Sequence, residues 1–268
     1  MRGDFALSGG GWINTMASVT QRIGQVRQPY GGYIKPSEFR KIELNDGRSL
    51  YPEENIPASL VGTVIDYMSR FMENDNVVKA FSISCMGAII AGERDLAEEL
   101  LCGINGIDDV SIINACRLAS FDVWYRNTSE AALCSRYDDV IPDSVTIENI
   151  RVMIKRSMSF FEEYGPVIAD GFKFEPYGYT QTVDAGDGDF LTCDTLWDFK
   201  VLRSKLTSKY TLQLLIYWIM GQHSGQEIFR NINRVGVFNP RMNVVYVLET
   251  EKIPAWIIHE VEEKVICY

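Results

Sequence analysis

Apolar residues along this chain follow two different periods, and the change of period divides it. Residues 1–56 follow neither period and are rich in Gly, Pro and polar residues, so irregular structure with at most short elements is expected there. From residue 57 onward apolar side chains recur at three and four positions, as they do on one face of a helix. This spacing predicts helices over 57–74, 76–92, 94–104, 109–127 and about 146–164.

Beyond residue 164 the period shortens to two, which is the alternation of a strand with one buried face. Strands are predicted over 171–183, 189–193, 195–201, 234–240 and 243–249, with helices over 207–221 and 254–265. From residue 146 the order is therefore α-β-β-β-α-β, followed by one more strand and one more helix. We predict an α/β (α+β) fold in two parts, a helical N-terminal region over 1–145 that packs on a core over 146–268.

Capping residues set the ends of two of these helices. Thr146 is placed to cap the helix that begins there, and Gly165 ends it. Thr207 or Ser208 is predicted to cap the following helix, which Gly221 is expected to close.

One predicted strand carries charge on a single face. Because side chains alternate along a strand, Asp198 and Lys200 share a face with Leu196, while Trp197 and Phe199 point to the other face. The aromatic face is typical of a protein core, but the charged face needs a partner. An acid and a lysine two residues apart are common by chance, so the neighbouring residues must show whether this pair has a functional role.

The residues before this strand predict a hairpin that adds a second carboxylate. If the turn lies at 193–194, the register places Asp189 directly across from Asp198. Facing residues hold their Cβ atoms about 4.5–5.5 Å apart, and like charges at that distance are destabilising. Lys200 offsets part of this repulsion, and a divalent metal ion would offset more. A register slip of two residues would put Asp187 in place of Asp189.

The supply of metal-binding side chains limits which metal is possible. The chain has 6 Cys without any Cys-x-x-Cys pair, which argues against a zinc knuckle and against a disulfide framework. It has 2 His, which excludes a polyhistidine site. Oxygen ligands therefore remain, and they favour Mg²⁺ or Mn²⁺.

Charge is unevenly distributed along the chain. The net charge of −10 argues against a nucleic-acid partner, yet residues 201–241 hold a single acid, Glu227, among the basic residues Arg203, Lys205, Lys209, Arg230, Arg234 and Arg241. Such a stretch after the carboxylate hairpin suits a phosphate backbone. Arg203, Lys205 and Lys209 are the candidates for binding it. A mixed, solvated surface is the alternative.

Length and hydropathy bound the class of protein. The 268 residues suit one large domain or two small ones. No apolar run approaches the ~20 residues of a membrane span, and the N-terminus lacks the apolar segment of a signal peptide. We therefore expect a cytoplasmic protein without a membrane partner.

The element order, with Asp189, Asp198 and Lys200 in these places, resembles the PD-(D/E)XK nuclease superfamily. The resemblance is closest to its RecB-like exonuclease branch, because "QLLIY" places Gln213 and Tyr217 in that branch's Gln-x-x-x-Tyr motif. The match covers about 146–248. It implies a restriction-endonuclease-like core, in which helices flank a mixed sheet.

An upstream motif extends the resemblance. The segment "GTVID" looks like the family's Gly-x-x-x-His motif, with Asp66 where His is usual, so Asp66 is the candidate for a further metal ligand. Glu162, at the end of the helix before the sheet, is the rival. Two features depart from the pattern: Gly-Asp replaces Pro-Asp, and the iron–sulfur cysteines of some relatives have no counterpart, so no iron–sulfur cluster is expected.

The residues and the resemblance together imply a set of roles. Asp189, Asp198 and the backbone carbonyl of Phe199 would hold Mg²⁺ or Mn²⁺. Lys200 would orient the attacking water or meet developing negative charge. By resemblance, the Gln-x-x-x-Tyr helix positions the nucleotide or its phosphate.

The expected function is that of a divalent-metal-dependent DNA nuclease, and specifically an exonuclease. One alternative is a nuclease fold that no longer cuts and serves as a DNA-binding or assembly module. Facing carboxylates favour the enzyme, because a binding module has no use for them. Another alternative is a restriction-type endonuclease, but the Gln-x-x-x-Tyr motif argues against it.

Overall fold

The computed structural model describes residues 17–126 and 140–268, and in them a mixed six-stranded sheet is flanked by helices. The strands are β1 (Ala17–Ser18), β2 (Arg40–Glu43), β3 (Ala169–Phe172), β4 (Val183–Ala185), β5 (Gly188–Leu191), β6 (Thr195–Phe199), β7 (Arg234–Asn239) and β8 (Val244–Glu249). The helices are α1 (Val19–Gln25), α2 (Ala58–Asn74), α3 (Val77–Ala80), α4 (Ser82–Ala91), α5 (Arg94–Cys102), α6 (Asp109–Ala119), α7 (Asp122–Arg126), α8 (Ser144–Tyr164), α9 (Ser208–His223) and α10 (Ala255–Val261). A π-helical segment, Glu262–Ile266, follows α10.

The sheet has the strand order β2-β8-β7-β6-β5-β3. Strands β6 and β7 are parallel, and the other neighbours are antiparallel. A parallel pair needs a long crossover, which α9 supplies between β6 and β7. Within the six-stranded sheet the predicted order α-β-β-β-α-β occurs as α8, β3, β5, β6, α9 and β7, which confirms the mixed α/β sheet. Strand β4, between β3 and β5, pairs with β1 in a separate two-stranded sheet. Assignment to the restriction-endonuclease-like fold stays a prediction.

The two faces of the sheet bury different kinds of side chain. On one face, aliphatic residues of β5 and β6 pack against α9, and Leu191, Leu196 and Leu215 are fully buried there. On the other face, aromatic residues meet the second half of α8. The Phe160 ring stacks on Phe238 with centroids 4.4 Å apart. Asp198 therefore lies on the opposite face from Trp197 and Phe199, as the alternation predicted, and α9 covers that face.

Helix α8 belongs to two apolar clusters. Its first half, including Ile150 and Met153, packs with α2 and α6 in a helical cluster. Its second half packs on the aromatic face of the sheet. The predicted division between 1–145 and 146–268 stays a prediction, and α8 is the element that joins the two parts.

The N-terminal region also supplies a strand, which the hydropathy pattern did not reveal. Strand β2 pairs antiparallel with β8, from Arg40 opposite Val247 to Glu43 opposite Val244. It forms one edge of the sheet, and only Ile42 among its four residues is half-buried. The part expected to be irregular and helical thus completes the sheet.

The strand predicted over 171–183 is wrong in extent, because β3 ends at Phe172. Pro176 cannot donate to a ladder. Gly178 lies against the Phe174 carbonyl and the Met220 carbonyl, where a methyl group would overlap both. The chain therefore turns here.

Two helix ends also differ from prediction. Asp143, not Thr146, caps α8, and its side chain accepts from the Thr146 amide at 2.8 Å. The Thr146 hydroxyl instead donates to Asn55 Oδ1 at 2.9 Å. Helix α9 follows Thr207 as predicted but continues past Gly221 to His223. The Phe229 ring packs against the helix at Gly221, where a Cβ would overlap it.

Two predicted helices are each split in two. The helix over 76–92 breaks at Phe81, whose ring lies edge-on to Tyr67 with centroids 5.4 Å apart. The helix over 109–127 breaks between α6 and α7, where the Phe121 carbonyl lies against Gly87 of α4 so closely that any side chain there would overlap it. Close packing of helices overrides the continuous helical period in both places.

Candidate active site

The β5–β6 hairpin has the register that the sequence predicted. Phe190 pairs with Trp197, so the next pair outward is Asp189 and Asp198. Both carboxylates therefore lie on the face that α9 covers. Asp187 lies exposed before β5 begins.

Asp198 and Lys200 form a buried ion pair at the end of β6. The Asp198 side chain is 1% exposed. Lys200 Nζ donates to Asp198 Oδ1 at 2.9 Å and also lies 2.8 Å from Oδ2, so one ammonium group contacts both oxygens. The same ammonium group lies 5.7 Å from the centroid of the Tyr210 ring. A carboxylate offers about four acceptor sites, so this one ammonium group leaves Asp198 with unused acceptor capacity.

Burial changes the protonation of this pair. Burial raises the pKa of Asp198 to about 7. The charge of Lys200 lowers this pKa, and the charge of Asp189 raises it further. For Lys200, burial lowers the pKa, but Asp198 and Asp189 raise it more, so the pKa lies above its ordinary value. Lys200 therefore stays charged at neutral pH.

Asp189 is held from two sides. Its Oδ2 accepts from the Phe199 amide at 2.7 Å, which fixes the carboxylate beside the end of β6. Its Oδ1 lies 3.3 Å from Arg70 Nη2. The role of the Phe199 carbonyl as a metal ligand stays a prediction.

Helix α2 brings Asp66 to the same site through Arg70. Arg70 Nε donates to Asp66 Oδ1 at 2.9 Å, so one guanidinium contacts both Asp66 and Asp189. Burial raises the pKa of Asp66, Arg70 opposes this, and Asp189 adds to it. Sequence reasoning missed Arg70, although its position one turn after Asp66 places it on the same helix face.

Glu162 lies elsewhere. It is exposed on α8, whose apolar face covers the aromatic side of the sheet. In the described residues it makes no hydrogen bond or ion pair with Asp189 or Asp198. The structure thus brings Asp66, and not Glu162, into the charged cluster, while the identity of the metal ligands stays a prediction.

One face of α9 completes the site. Gln213 Nε2 donates to Tyr217 Oη at 3.0 Å. Burial and then the nearby Asp198 raise the pKa of Tyr217, so its hydroxyl remains protonated and within electrostatic reach of the carboxylate. Tyr210 lies on the same helix face beside Lys200, and sequence reasoning missed it. Spacing of three and four residues along α9 could have shown it.

The basic stretch after β6 is largely paired with acids. Arg203 binds Glu54 Oε2 at 2.5 Å and also donates to the Pro52 carbonyl. Lys205 and Lys209 are exposed and have no ion pair within the described residues. The remaining pairs are Arg241 with Glu54, Arg230 with Glu227 and Arg234 with Asp194. Lys205 and Lys209 are thus the cations left open to a phosphate backbone.

Glu54 joins the chain before α2 to the sheet end beside β6, and its removal should be costly. Its carboxylate accepts from Arg241 at 2.7 Å and from Asn149 at 2.8 Å, and its side chain is 1% exposed. Removing one partner of a buried pair leaves the other charge uncompensated. Glu54→Gln should therefore lower the unfolding temperature by about 6–12 °C at pH 7, corresponding to about 3 kcal/mol.

The effect of Glu54→Gln should depend on pH. Burial raises the pKa of Glu54, but Arg241, Asn149 and Arg203 together lower it below its ordinary 4.5. A lowered pKa contributes stability that is present above 4.5 and lost as the pH falls through the folded value. Thermal unfolding from pH 7 to pH 3 should therefore show the two proteins converging below about pH 4.5. Glu53→Gln, at an exposed neighbour, should match wild type throughout.

The donors at this site can be compared with what a metal ion needs. Across residues 17–126 and 140–268, no three His, Cys, Asp or Glu side chains are grouped closely enough to hold a metal ion. The two facing carboxylates fit part of a Mg²⁺ or Mn²⁺ site, because Asp198 is a buried carboxylate whose acceptor capacity Lys200 uses only in part. Asp189 Oδ1 contacts Arg70. The guanidinium thus supplies the positive charge that a bound metal ion would otherwise supply to this carboxylate.

A cleft lies between α2 and the end of β6 and reaches Lys200. Its volume is about 230 Å³, and Gly62, Ile65 and Val201 form its apolar walls beside Asp66 and Lys200. A Cβ added at Gly62 would lie 4.0 Å from the Val201 side chain, an ordinary van der Waals contact.

Comparison with known proteins adds no relative. No family model, curated protein or solved structure matches the chain. In the part of the chain that the structure describes, no helix is long and apolar enough to cross a membrane.

Proposed function

We propose that this protein is a divalent-metal-dependent phosphodiesterase that cleaves DNA, acting as an exonuclease. The observation that carries the proposal is the buried Asp198, which faces Asp189 and is paired with Lys200. Buried ion pairs contribute little to stability compared with apolar residues of the same size. Charges arranged at such a cost are typical of functional sites.

Asp189, Asp198 and a backbone carbonyl at Phe199 would hold the metal ion. When bound, Mg²⁺ or Mn²⁺ lowers the pKa of a water molecule and polarises the phosphate. The Phe199 amide keeps the Asp189 carboxylate in place through Oδ2. The protein thus supplies a fixed pair of oxygen ligands at the end of one hairpin.

Lys200 supplies a positive charge beside that pair. Its ammonium group is held by Asp198 and is 21% exposed, so it can face both the carboxylate and a substrate. There it would orient the attacking water or stabilise the negative charge that develops on the phosphate oxygens. Asp198 positions it for either role.

Helix α9 would contact the DNA. The hydroxyl of Tyr217 accepts from Gln213, which leaves its own proton free for a phosphate oxygen. Lys205 and Lys209, near the start of α9, would meet neighbouring phosphates, which gives binding that weakens with salt and carries little base specificity.

A second candidate function is a nuclease fold that binds DNA without cutting it. Arg70 favours this alternative, since it already neutralises Asp66 and Asp189 without a metal ion. Lys205 and Lys209 would bind DNA equally well in such a module. The two functions differ in whether a metal ion changes the protein.

A cleavage assay separates the two functions. Two kinds of DNA, end-labelled linear molecules and internally labelled covalently closed circles, are each prepared single- and double-stranded. Each is incubated with the protein in Mg²⁺, Mn²⁺ or EDTA. We expect the linear substrates to be degraded with either metal, the circles to survive and EDTA to stop the reaction. Cleavage of circles would instead indicate an endonuclease. Binding of DNA without cleavage under every metal condition would favour the non-cutting module.

A further inference from the structure

Arg70 is a largely buried cation that contacts two acidic residues at once. Its side chain is 12% exposed, and it extends from α2 towards the hairpin. The guanidinium binds Asp66 and Asp189 and lies 4.9 Å from the centroid of the Phe190 ring. The aromatic ring supports the cation from one side. Burying a charge is costly, so a largely buried arginine at this position suggests a functional role.

The two contacts of Arg70 are unequal. The contact with Asp66 is 2.9 Å long and joins residues one turn apart in the same helix, so α2 itself maintains it. The contact with Asp189 is 3.3 Å long, beyond the usual range of a hydrogen bond between charged groups. The Asp189 contact is therefore the weaker one.

The Asp189 contact can also break without disturbing the hairpin. Asp189 is anchored through its other oxygen to the Phe199 amide at 2.7 Å. Arg70 remains anchored through Nε to Asp66. The outer end of the guanidinium can thus leave Asp189 while both residues keep their places.

The outer end of Arg70 suits a phosphate group. A guanidinium carries five N–H donors in a planar fork, which matches the geometry of phosphate oxygens. The contacts with Asp66 and Asp189 use only part of this capacity. Arg70 belongs to the same charged cluster as Lys200, where the proposed function places the phosphate to be cut.

We propose that Arg70 changes partner during the reaction: it binds Asp189 in the metal-free protein and a phosphate oxygen of DNA when a metal ion binds Asp189. This inference rests on the proposed function and adds a substrate-contacting residue to it. Metal and DNA then favour each other's binding. Metal binding to Asp189 frees Arg70 for a phosphate oxygen, and phosphate binding to Arg70 frees Asp189 for the metal ion.

The test uses two substitutions in the full chain and two readouts. Without DNA, the Mn²⁺ concentration that gives half of the maximal rise in unfolding temperature should fall about tenfold in Arg70→Met, since the competing charge is gone. The DNA concentration for half-maximal cleavage should rise about tenfold, since one charged phosphate contact is lost. Arg70→Lys should shift both concentrations in the same directions as Arg70→Met. Its rise in the DNA concentration for half-maximal cleavage should be smaller, because a cation remains.

The controls separate this role from a structural one. Lys79→Met removes a nearby exposed cation that pairs with Asp170, and it should leave both readouts at wild-type values. If Arg70→Met does not fold, Arg70→Lys carries the test because it keeps a cation beside Asp66. A merely structural role would weaken metal binding in both variants, which is opposite in sign to the expected change.

Two results overturn the inference alone. One is an active wild type whose Arg70 variants need as much Mn²⁺ as wild type, or more. The other is an unchanged DNA concentration for half-maximal cleavage. A wild type that neither cuts DNA nor gains stability from Mn²⁺ overturns the proposed function itself. The same measurements therefore distinguish the two failures.

Discussion

Asp198→Asn should abolish metal-dependent cleavage, lowering the rate by a factor of at least about 10³. The substitution keeps the size of the side chain but removes one of the two charges that would hold the metal ion. Metal should also stabilise the variant less. In the wild type, metal at about 100 times its dissociation constant should add about 2.7 kcal/mol of stability by mass action. Cleavage rates and unfolding temperatures over a Mg²⁺ series measure both effects.

The metal-free Asp198→Asn variant should remain folded, with an unfolding temperature within about 5 °C of wild type, because two effects oppose each other. The substitution removes a buried carboxylate that faces Asp189, which is stabilising. It also deprives Lys200 of its charged partner, which is destabilising. Asp184→Asn, an exposed carboxylate in β4, should behave as wild type. Wild-type cleavage by Asp198→Asn would contradict the proposed metal site.

Lys200→Met should separate metal binding from catalysis. The substitution removes the charge that would orient water or stabilise the phosphate, so cleavage should fall by about 10²–10³. Asp189 and Asp198 remain, and Asp198 loses its competing cation. The rise in unfolding temperature with Mn²⁺ should therefore be retained.

Two outcomes would contradict the role of Lys200. Cleavage by Lys200→Met at the wild-type rate would show that the ammonium group is not needed for the reaction. Loss of stabilisation by Mn²⁺ would show that Lys200 shapes the carboxylate pair and does not act beside it. Lys173→Met removes an exposed lysine after β3 and should leave cleavage and metal response unchanged.

The parts of the site that the sequence could predict depend on local geometry. Strand alternation puts Asp198 and Lys200 on one face, and a short turn is enough to place Asp189 opposite Asp198. The spacing of Gln213 and Tyr217 follows from one turn of a helix. Each of these relations joins residues that are close along the chain.

The parts that could not be predicted depend on tertiary packing. Arg70 reaches Asp189 across 119 positions, which requires knowing where α2 lies against the hairpin. Likewise, Arg203 finds Glu54 at a separation of 149 positions, so the count of basic residues could not show which of them were already neutralised. Charge composition predicts the kind of surface and does not predict which charges are paired.

Strand β2 has a consequence for how the chain folds. Its partner β8 is about 200 positions away, so during synthesis β2 leaves the ribosome long before the strand that it pairs with. Pairings at such separations make folding slow, and an unpaired strand is a site where chains can aggregate. Three of the four β2 residues are charged (Arg40, Lys41 and Glu43). These charges disfavour pairing with another molecule, so the same composition that hid β2 from the hydropathy pattern protects the nascent chain while it waits.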